Sequence, residues 1–256
     1  MSEKRFAMHF DPAGDVLAAA KACEAAVFLE AYGNTAQQWR DEYEQYDATS
    51  VFLTIVEPMG DAVASCRLIL PNPLGLKSLV DIEGAPWFVD ANRSAAAVGM
   101  SPARTWDIAT VAARRGTAGT GLLAAALYHG IVAATRANRL RWVVMIIDAR
   151  ARRLLSMLNM EGHVLPGTMA APYLGSLASI PLWADVPRLM RVQRGLNPDG
   201  YRMIDGGIGL EAIALPGPGD FVLAPRGLTV PPTFVPTLRD RDDAFARTKY
   251  CPPLSA

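Results

Sequence analysis

The chain has 256 residues, 51% of them hydrophobic, which is enough to bury a sizeable core and too apolar for a disordered protein. Lysine plus arginine and aspartate plus glutamate both number 25, so no global field draws the chain to nucleic acid or to an anionic membrane, and any basic site has to be local. Cys23, Cys66 and Cys251 are odd in number and far apart, and His9, His129 and His163 are equally scattered, so neither a disulfide framework nor a metal site is expected.

The opening MSEKRFAMHFDPAGD is charged and has no apolar run. No stretch reaches the roughly 18 apolar residues that cross a bilayer, so the expectation is a cytoplasmic protein without a membrane span. Residues 14–32 read as the first helix, because Val16, Ala20, Cys23 and Val27 share a face while Lys21, Glu24 and Glu30 lie elsewhere; Gly33-Asn34 stops it. The polar segment 35–50 carries closely spaced acids, Asp41, Glu42, Glu44 and Asp47, which by default form a solvated face.

Residues 51–56 and 62–70 alternate as strands around the turn Glu57-Pro58-Met59-Gly60-Asp61, so a β-hairpin is expected. Arg67 is embedded in the second strand. A long cation there either snorkels to the sheet edge or meets a carboxylate, since an unpaired buried charge is costly, and the acidic run supplies partners. Residues 72–104 read as irregular, with LGLKSL and Ala85-Pro86-Trp87-Phe88-Val89 as short helical or packing elements.

The stretch 105–138 reads as strand, turn and helix. Trp106, Ile108, Thr110 and Val111 suit a pleated strand; the run Arg114-Arg115-Gly116-Thr117-Ala118-Gly119-Thr120-Gly121 breaks it; Leu123, Leu127, Ile131 and Ala134 then line one helical face. A glycine turn that opens a helix presents free N–H groups and the positive end of the helix dipole, which suits a phosphate. Leu140 to Asp148 is apolar enough to be a strand buried on both faces, and strand–helix–strand at this spacing implies a right-handed crossover with parallel pairing. A short helix is expected over 151–161, ended by Gly162, and 174–183 and 188–192 look strand-like or buried. Beyond residue 193 the texture turns to glycine and proline, with short strands at 208–215 and 220–223. This divides the chain into a main domain, 1–192, and an extension, 193–256, packed on that domain or on a second copy of the chain.

This order of elements resembles the GNAT N-acyltransferase fold, an α/β (α+β) architecture with a mixed, strongly twisted sheet flanked by helices. In that fold the central strand ends in a turn of the form Arg/Gln-x-x-Gly/Ala-x-Gly/Ala, whose amides hold the pyrophosphate of an acyl carrier. Arg115 to Gly121 follows the pattern, with the pair Gly119 and Gly121 one residue later. The resemblance narrows over residues 20–190 to the acyl-homoserine-lactone (autoinducer) synthases and the related N-acyl amino acid synthases. Those carry an acidic pattern before the hairpin, here Glu42, Glu44 and Asp47, and an arginine followed by leucines and a proline at its end, here Arg67-Leu68-Ile69-Leu70-Pro71. Their Glu-x-x-Arg on the central strand is Asp107-Ile108-Ala109-Thr110 in this chain, and a further arginine, four residues before Phe28, is Glu24. Leu158 falls near the place of the general GNAT tyrosine, which is not a signature of the synthase branch.

The resemblance implies acyl transfer from an acyl-CoA or acyl carrier protein thioester to the amine of a small, amino-acid-like acceptor. Such an amine must lose a proton, so a carboxylate in reach is a useful base, with Asp107 and Glu44 as candidates. Glu42, Asp47, Arg67 and Thr110 are candidates for binding the acceptor, Arg67 by orienting the acids or a substrate carboxylate. Val111, Ala112, Arg114, Arg115 and the turn Gly116, Thr117, Ala118, Gly119, Thr120 and Gly121 are candidates for holding the carrier. A bulge near Val111-Ala112 would free an amide for the developing oxyanion. Holding both substrates in one cleft is worth ~7–11 kcal/mol. Two other readings stay open: an autoinducer synthase that uses S-adenosylmethionine, and a non-catalytic binding module with residues 193–256 as its interface.

Overall fold

The structure is a computed structural model and describes residues 5–115, 120–228 and 230–235. Strand β1 (Phe6–Phe10) leads into helix α1 (Gly14–Tyr32), which ends where Gly33 takes a φ of 68°, a conformation a side chain would disfavour. The polar segment that follows is helix α2 (Ala36–Tyr43), started by a capping box between Thr35 and Gln38 and continued as a 3-10 turn over Glu44–Thr49. The hairpin is β2 (Ser50–Val56) and β3 (Ala62–Ile69), paired antiparallel.

Residues 72–104 are more regular than their sequence implies. They hold α3 (Lys77–Ile82) and α4 (Ala91–Ala97), each too short to display a helical period. Then come β4 (Thr105–Ala113), α5 (Thr120–Ala137), β5 (Trp142–Asp148), α6 (Ala149–Met157), the short β6 (His163–Val164) and β7 (Ala171–Tyr173), and β8 (Ser176–Asp185). Residues 188–192 lie in a helix, α7 (Val186–Leu196): the Asp185 side chain accepts from the Arg188 amide, and Val186, Met190 and Gln193 are buried at helical spacing. Helix α8 (Pro198–Gly206) follows. The strands expected at 208–215 and 220–223 reduce to β9 (Ile213–Ala214) and a 3-10 turn at Pro218–Phe221.

The strands form one mixed sheet in the order β6-β8-β5-β4-β3-β2-β1-β9, with β7 beside β8. Among the described residues only β4–β5 and β1–β9 are parallel; the other pairs are antiparallel. Helix α5 lays Leu123, Leu127, Ile131 and Ala134 on one face of the sheet, all buried in the larger core. Burying each Leu or Ile in this way is worth about 1.5–3 kcal/mol. A second core beneath α3 and α4 gathers Ile69, Leu79, Ile82, Trp142 and Val144 on the opposite face.

Residues 193–235 join the same body. Ile204, Leu210, Ile213 and Phe221 enter the larger core, β9 extends the sheet beside β1, and Phe234 and Val235 reach the second core. The Asn92 side chain pins that last segment: its Oδ1 accepts from the Phe234 amide at 2.9 Å and its Nδ2 donates to the Val235 carbonyl at 3.2 Å.

Candidate functional site

Two irregularities in β4 organise the site. The first is the extent of its pairing with β5, which covers only Thr105↔Trp142, Trp106↔Val143 and Asp107↔Val144. Beyond Asp107 the two strands have no further rungs in common, although β4 runs on to Ala113 and β5 to Asp148. The second is a bulge. Arg67 faces Thr110 while Leu68 faces Ile108, so Ala109 is the extra residue in β4. The bulge therefore lies at Ala109, two residues before the Val111-Ala112 position expected from sequence. It also sets the geometry of the site, because positions i and i+3 of a regular strand point to opposite faces. With Ala109 inserted, Asp107 (opposite Ile69) and Thr110 (opposite Arg67) share the face covered by α1 and α3.

On that face Arg67 is 3% exposed and Glu24, from α1, is fully buried. Arg67 Nη2 donates to Glu24 Oε2 at 2.7 Å and Nε to Oε1 at 3.0 Å, a bidentate pair. Nη1 donates to Asp47 Oδ1 at 2.7 Å and to Ser50 Oγ at 3.3 Å. Lys21 Nζ donates to the other Asp47 oxygen at 2.7 Å, and the Thr110 hydroxyl donates to Glu24 Oε1. Two cations thus meet two carboxylates, so the buried charge is balanced. Burial pushes the Asp47 carboxyl up, but the hydrogen bonds from Lys21 and Arg67 outweigh it and hold the group below its ordinary value.

The geometry bears on three expectations. All three guanidinium nitrogens of Arg67 are engaged and the side chain is covered by the Tyr43 and Phe52 rings, so it has no free edge for a substrate carboxylate; it orients the acids instead. Glu24, assigned by its charge to the polar side of α1, falls four residues after buried Ala20 and faces the sheet. Thr110, 2% exposed, orients Glu24 rather than lining a cleft.

A second cluster lies beside the first. Lys77 Nζ donates to Glu42 Oε2 at 2.6 Å, Asp81 Oδ2 at 2.7 Å and Tyr173 Oη at 3.2 Å; the Tyr173 hydroxyl donates to Asp81. The Tyr43 ring stands between the clusters, 5.1 Å from both Arg67 Cζ and Lys77 Nζ. Burial pulls the Lys77 ammonium down, but Asp81, Tyr173 and Glu42 hold it well above its ordinary value. Tyr43 leads by ring contacts through Trp39 and Phe28 to Tyr32, whose hydroxyl donates to Asp148 Oδ2 at 2.5 Å, joining the end of α1 to the end of β5.

Asp107 is fully buried at the last paired rung of β4. Its Oδ1 accepts from Ser78 Oγ at 2.8 Å and its Oδ2 from the Ser78 amide at 2.5 Å, so it also caps α3. Burial pushes its carboxyl up to about 7, against the opposing pull of both Ser78 donors. Glu44 is exposed and its side chain makes no hydrogen bond or ion pair among the described residues, to Asp107 or to any other group. In the turn, Arg114 is half-buried, with its Nε a buried donor lacking an acceptor among the described residues; Arg115 is exposed, 4.0 Å from Glu30. Val111 is half-buried, Ala112 is buried, and Gly121 lies in the first turn of α5, as does the Thr120 backbone. Gly116, Thr117, Ala118 and Gly119 lie outside the described residues.

Sequence reasoning missed Lys77, Ser78, Asp81 and Tyr173. The i,i+4 spacing of Lys77 and Asp81 was a legible signal; the partnership with Tyr173, 92 residues from Asp81, was not. Among the described residues no group of three or more His, Cys, Asp or Glu could hold a metal ion, and no helix is long and apolar enough to cross a membrane.

No family model matches the chain, and no curated protein matches it in sequence. Solved structures do. FeeM, an N-acyl amino acid synthase from uncultured soil microbes, aligns over 73% of this chain and 94% of its own with a TM-score of 0.56, at 13% identity. The CoA-dependent acyl-homoserine lactone synthase BjaI, solved with MTA, aligns over 84% and 97% with a TM-score of 0.56, also at 13% identity. The chain has the fold of these N-acyl synthases. The AHL synthase LasI shares it over 76% of this chain and 96% of its own, with a TM-score of 0.53 at 12% identity. The synthase fold accounts for the mixed sheet flanked by helices, as the sequence resemblance implied.

Proposed function

We propose that this chain is an N-acyltransferase that moves an acyl group from an acyl-CoA or acyl carrier protein thioester to the amine of a small acceptor. One observation carries the reading: the buried Asp107 carboxyl, raised to about 7, stands at the last rung before β4 and β5 part. A carboxyl tuned near neutrality is an effective general base for an ammonium that must deprotonate before attack. The parted strands support a donor slot between them, since the β4 backbone from Ile108 onward has no ladder partner on its β5 side. Arg114, Arg115 and the N-terminal end of α5 support an anchor for the carrier's phosphates.

In the reaction, the amine nitrogen forms a bond to the thioester carbonyl carbon as the carbon–sulfur bond breaks. The proton lost by nitrogen passes to Asp107, directly or through one water, and the departing thiolate takes up a proton. Glu42 and Asp47 carry the exposed ends of the two charge clusters, with side chains 38% and 35% exposed, and favour an acceptor bearing a cationic group. The test incubates the purified chain with acyl-CoAs of graded length and an amine panel, following free thiol release and product mass. Thiol release that depends on the amine, and an acyl-amine product, are expected. A lactone formed only when S-adenosylmethionine is added would replace this reading with the autoinducer-synthase one, and donor binding without turnover would replace it with a binding module.

A further inference from the structure

A groove of about 380 Å³ opens between the C-terminal half of α5, α7 and α8. Five arginines line it, Arg104, Arg136, Arg139, Arg191 and Arg194, against one acid, Asp205, in a chain whose formal charge is zero. Arg136 is paired with Asp205. The other four have no carboxylate within salt-bridge distance among the described residues, and Arg104 and Arg194 stand over the rings of Trp142 and Tyr201. Four unneutralised guanidinium groups converging on a concavity repel one another, and planar guanidinium forks match phosphate oxygens.

The rest of the lining is mostly apolar. Val132, Leu140, Val186, Pro187 and Met190 line the groove beside Thr135, together with the Tyr201 ring. A volume in the range of ligand pockets, a largely apolar lining, an aromatic ring and clustered cations together suit a compact anion with an organic body. They do not suit a long polyanion, because the neighbouring cations Arg141 and Arg202 are already paired with Asp185 and Asp199, so the positive field stops at the rim. The groove stands apart from the proposed phosphate anchor at Arg115 and the start of α5: the 18 residues of α5, at 1.5 Å each, put about 27 Å between its ends, and the groove is at the C-terminal one.

We infer that this groove binds a small organic phosphate of nucleotide type, its phosphates on Arg139 and Arg191 and its planar body against Tyr201. The experiment titrates the full chain with ADP, inorganic pyrophosphate and adenosine by calorimetry at low and moderate salt. ADP is expected to bind, pyrophosphate more weakly and adenosine not at all. The exposed double variant Arg139→Ala/Arg191→Ala should weaken both phosphates about tenfold or more with unchanged melting temperature, Tyr201→Leu should weaken ADP alone, and Arg115→Ala should leave ADP binding as it was. Absence of ADP binding, equal affinity for ADP and pyrophosphate, or indifference to the double variant would overturn the inference. So would loss of ADP binding in Arg115→Ala, which would locate the nucleotide at the turn.

Discussion

Thr110 donates its hydroxyl proton to Glu24, tying the central strand to α1 across the buried face of the sheet. These are the two positions at which the synthases the chain resembles carry arginines. With Arg67 between them, arginines at both would gather three guanidinium groups in one place; here a carboxylate and a hydroxyl turn that place into a closed, neutral network. Replacing Glu24 by Leu should leave buried Arg67 with only Asp47, which it shares with Lys21, and so with one positive charge unbalanced, at a cost of about 3–5 kcal/mol in urea denaturation. Thr110→Ala should cost about 1 kcal/mol. The double variant Glu24→Leu/Arg67→Met should recover most of the loss. A loss below about 1 kcal/mol for Glu24→Leu alone would contradict the pairing.

Asp107 makes a pH prediction with a definite sign. Its folded value, about 7, lies above the ordinary 3.8, so between those values the folded state holds a proton that the unfolded state has lost. Its contribution is present below about pH 4 and falls away as pH rises to about 7, by roughly 4 kcal/mol. Asp107→Asn cannot ionise, so it should gain stability relative to the parent chain across that window, with a constant difference above it. Acyl transfer by the parent chain should rise with pH to a plateau above about 7 and fall about 10²–10⁴-fold in Asp107→Asn. A pH-independent stability difference would show that Asp107 titrates normally.

Arg115 is exposed and only 4.0 Å from an equally exposed Glu30, so this ion pair adds little to stability. Arg115→Ala should therefore melt with the parent chain yet bind acyl-CoA several-fold more weakly, with the difference shrinking as salt screens the phosphates. Equal affinities at low salt would remove Arg115 from the carrier site.

Gly75 holds φ at 90°, and a Cβ on it would sit 2.5 Å from the Phe234 carbonyl oxygen. Gly75→Ala should therefore destabilise by about 1–3 kcal/mol and release residues 230–235 from the second core. Faster proteolysis near Phe234, without unfolding of the sheet, would be the signature. Because α3 begins two residues after Gly75 and Ser78 holds Asp107, the same variant should also slow acyl transfer.

The elements that the sequence revealed are those with a local period. Helix α1, the β2–β3 hairpin, and the β4–α5–β5 unit were legible because apolar spacing, glycine stops and alternating strands are written within about twenty residues. Helix α3 was legible only as a short helical or packing element at LGLKSL and α4 not at all, both being shorter than two full turns. Residues 188–192 look strand-like or buried in sequence, rather than part of α7, because the buried stripe Val186, Met190 and Gln193 ends on a polar residue. Within the site, Arg67 and its need for a carboxylate were readable, and Asp47 was among the offered partners. Glu24 was hidden by its own charge: helical spacing put it on the inner face, and the habit of assigning acids to the surface overrode that spacing. Ser78 could not be read at all, because nothing local to a serine announces that it will hold a carboxylate 29 residues away.

The extra residue at Ala109 gives β4 a change of address. Upstream of it, odd-numbered positions such as Asp107 face α1 and α3; downstream, even-numbered positions such as Thr110 and Ala112 do. Were Ala109 taken up as a regular rung instead of bulged out, the two sides of everything that follows would swap, sending Val111 toward Glu24 and Thr110 into the apolar packing beneath α5. In this strand one small, chemically silent alanine decides which letters of the sequence the reaction can read.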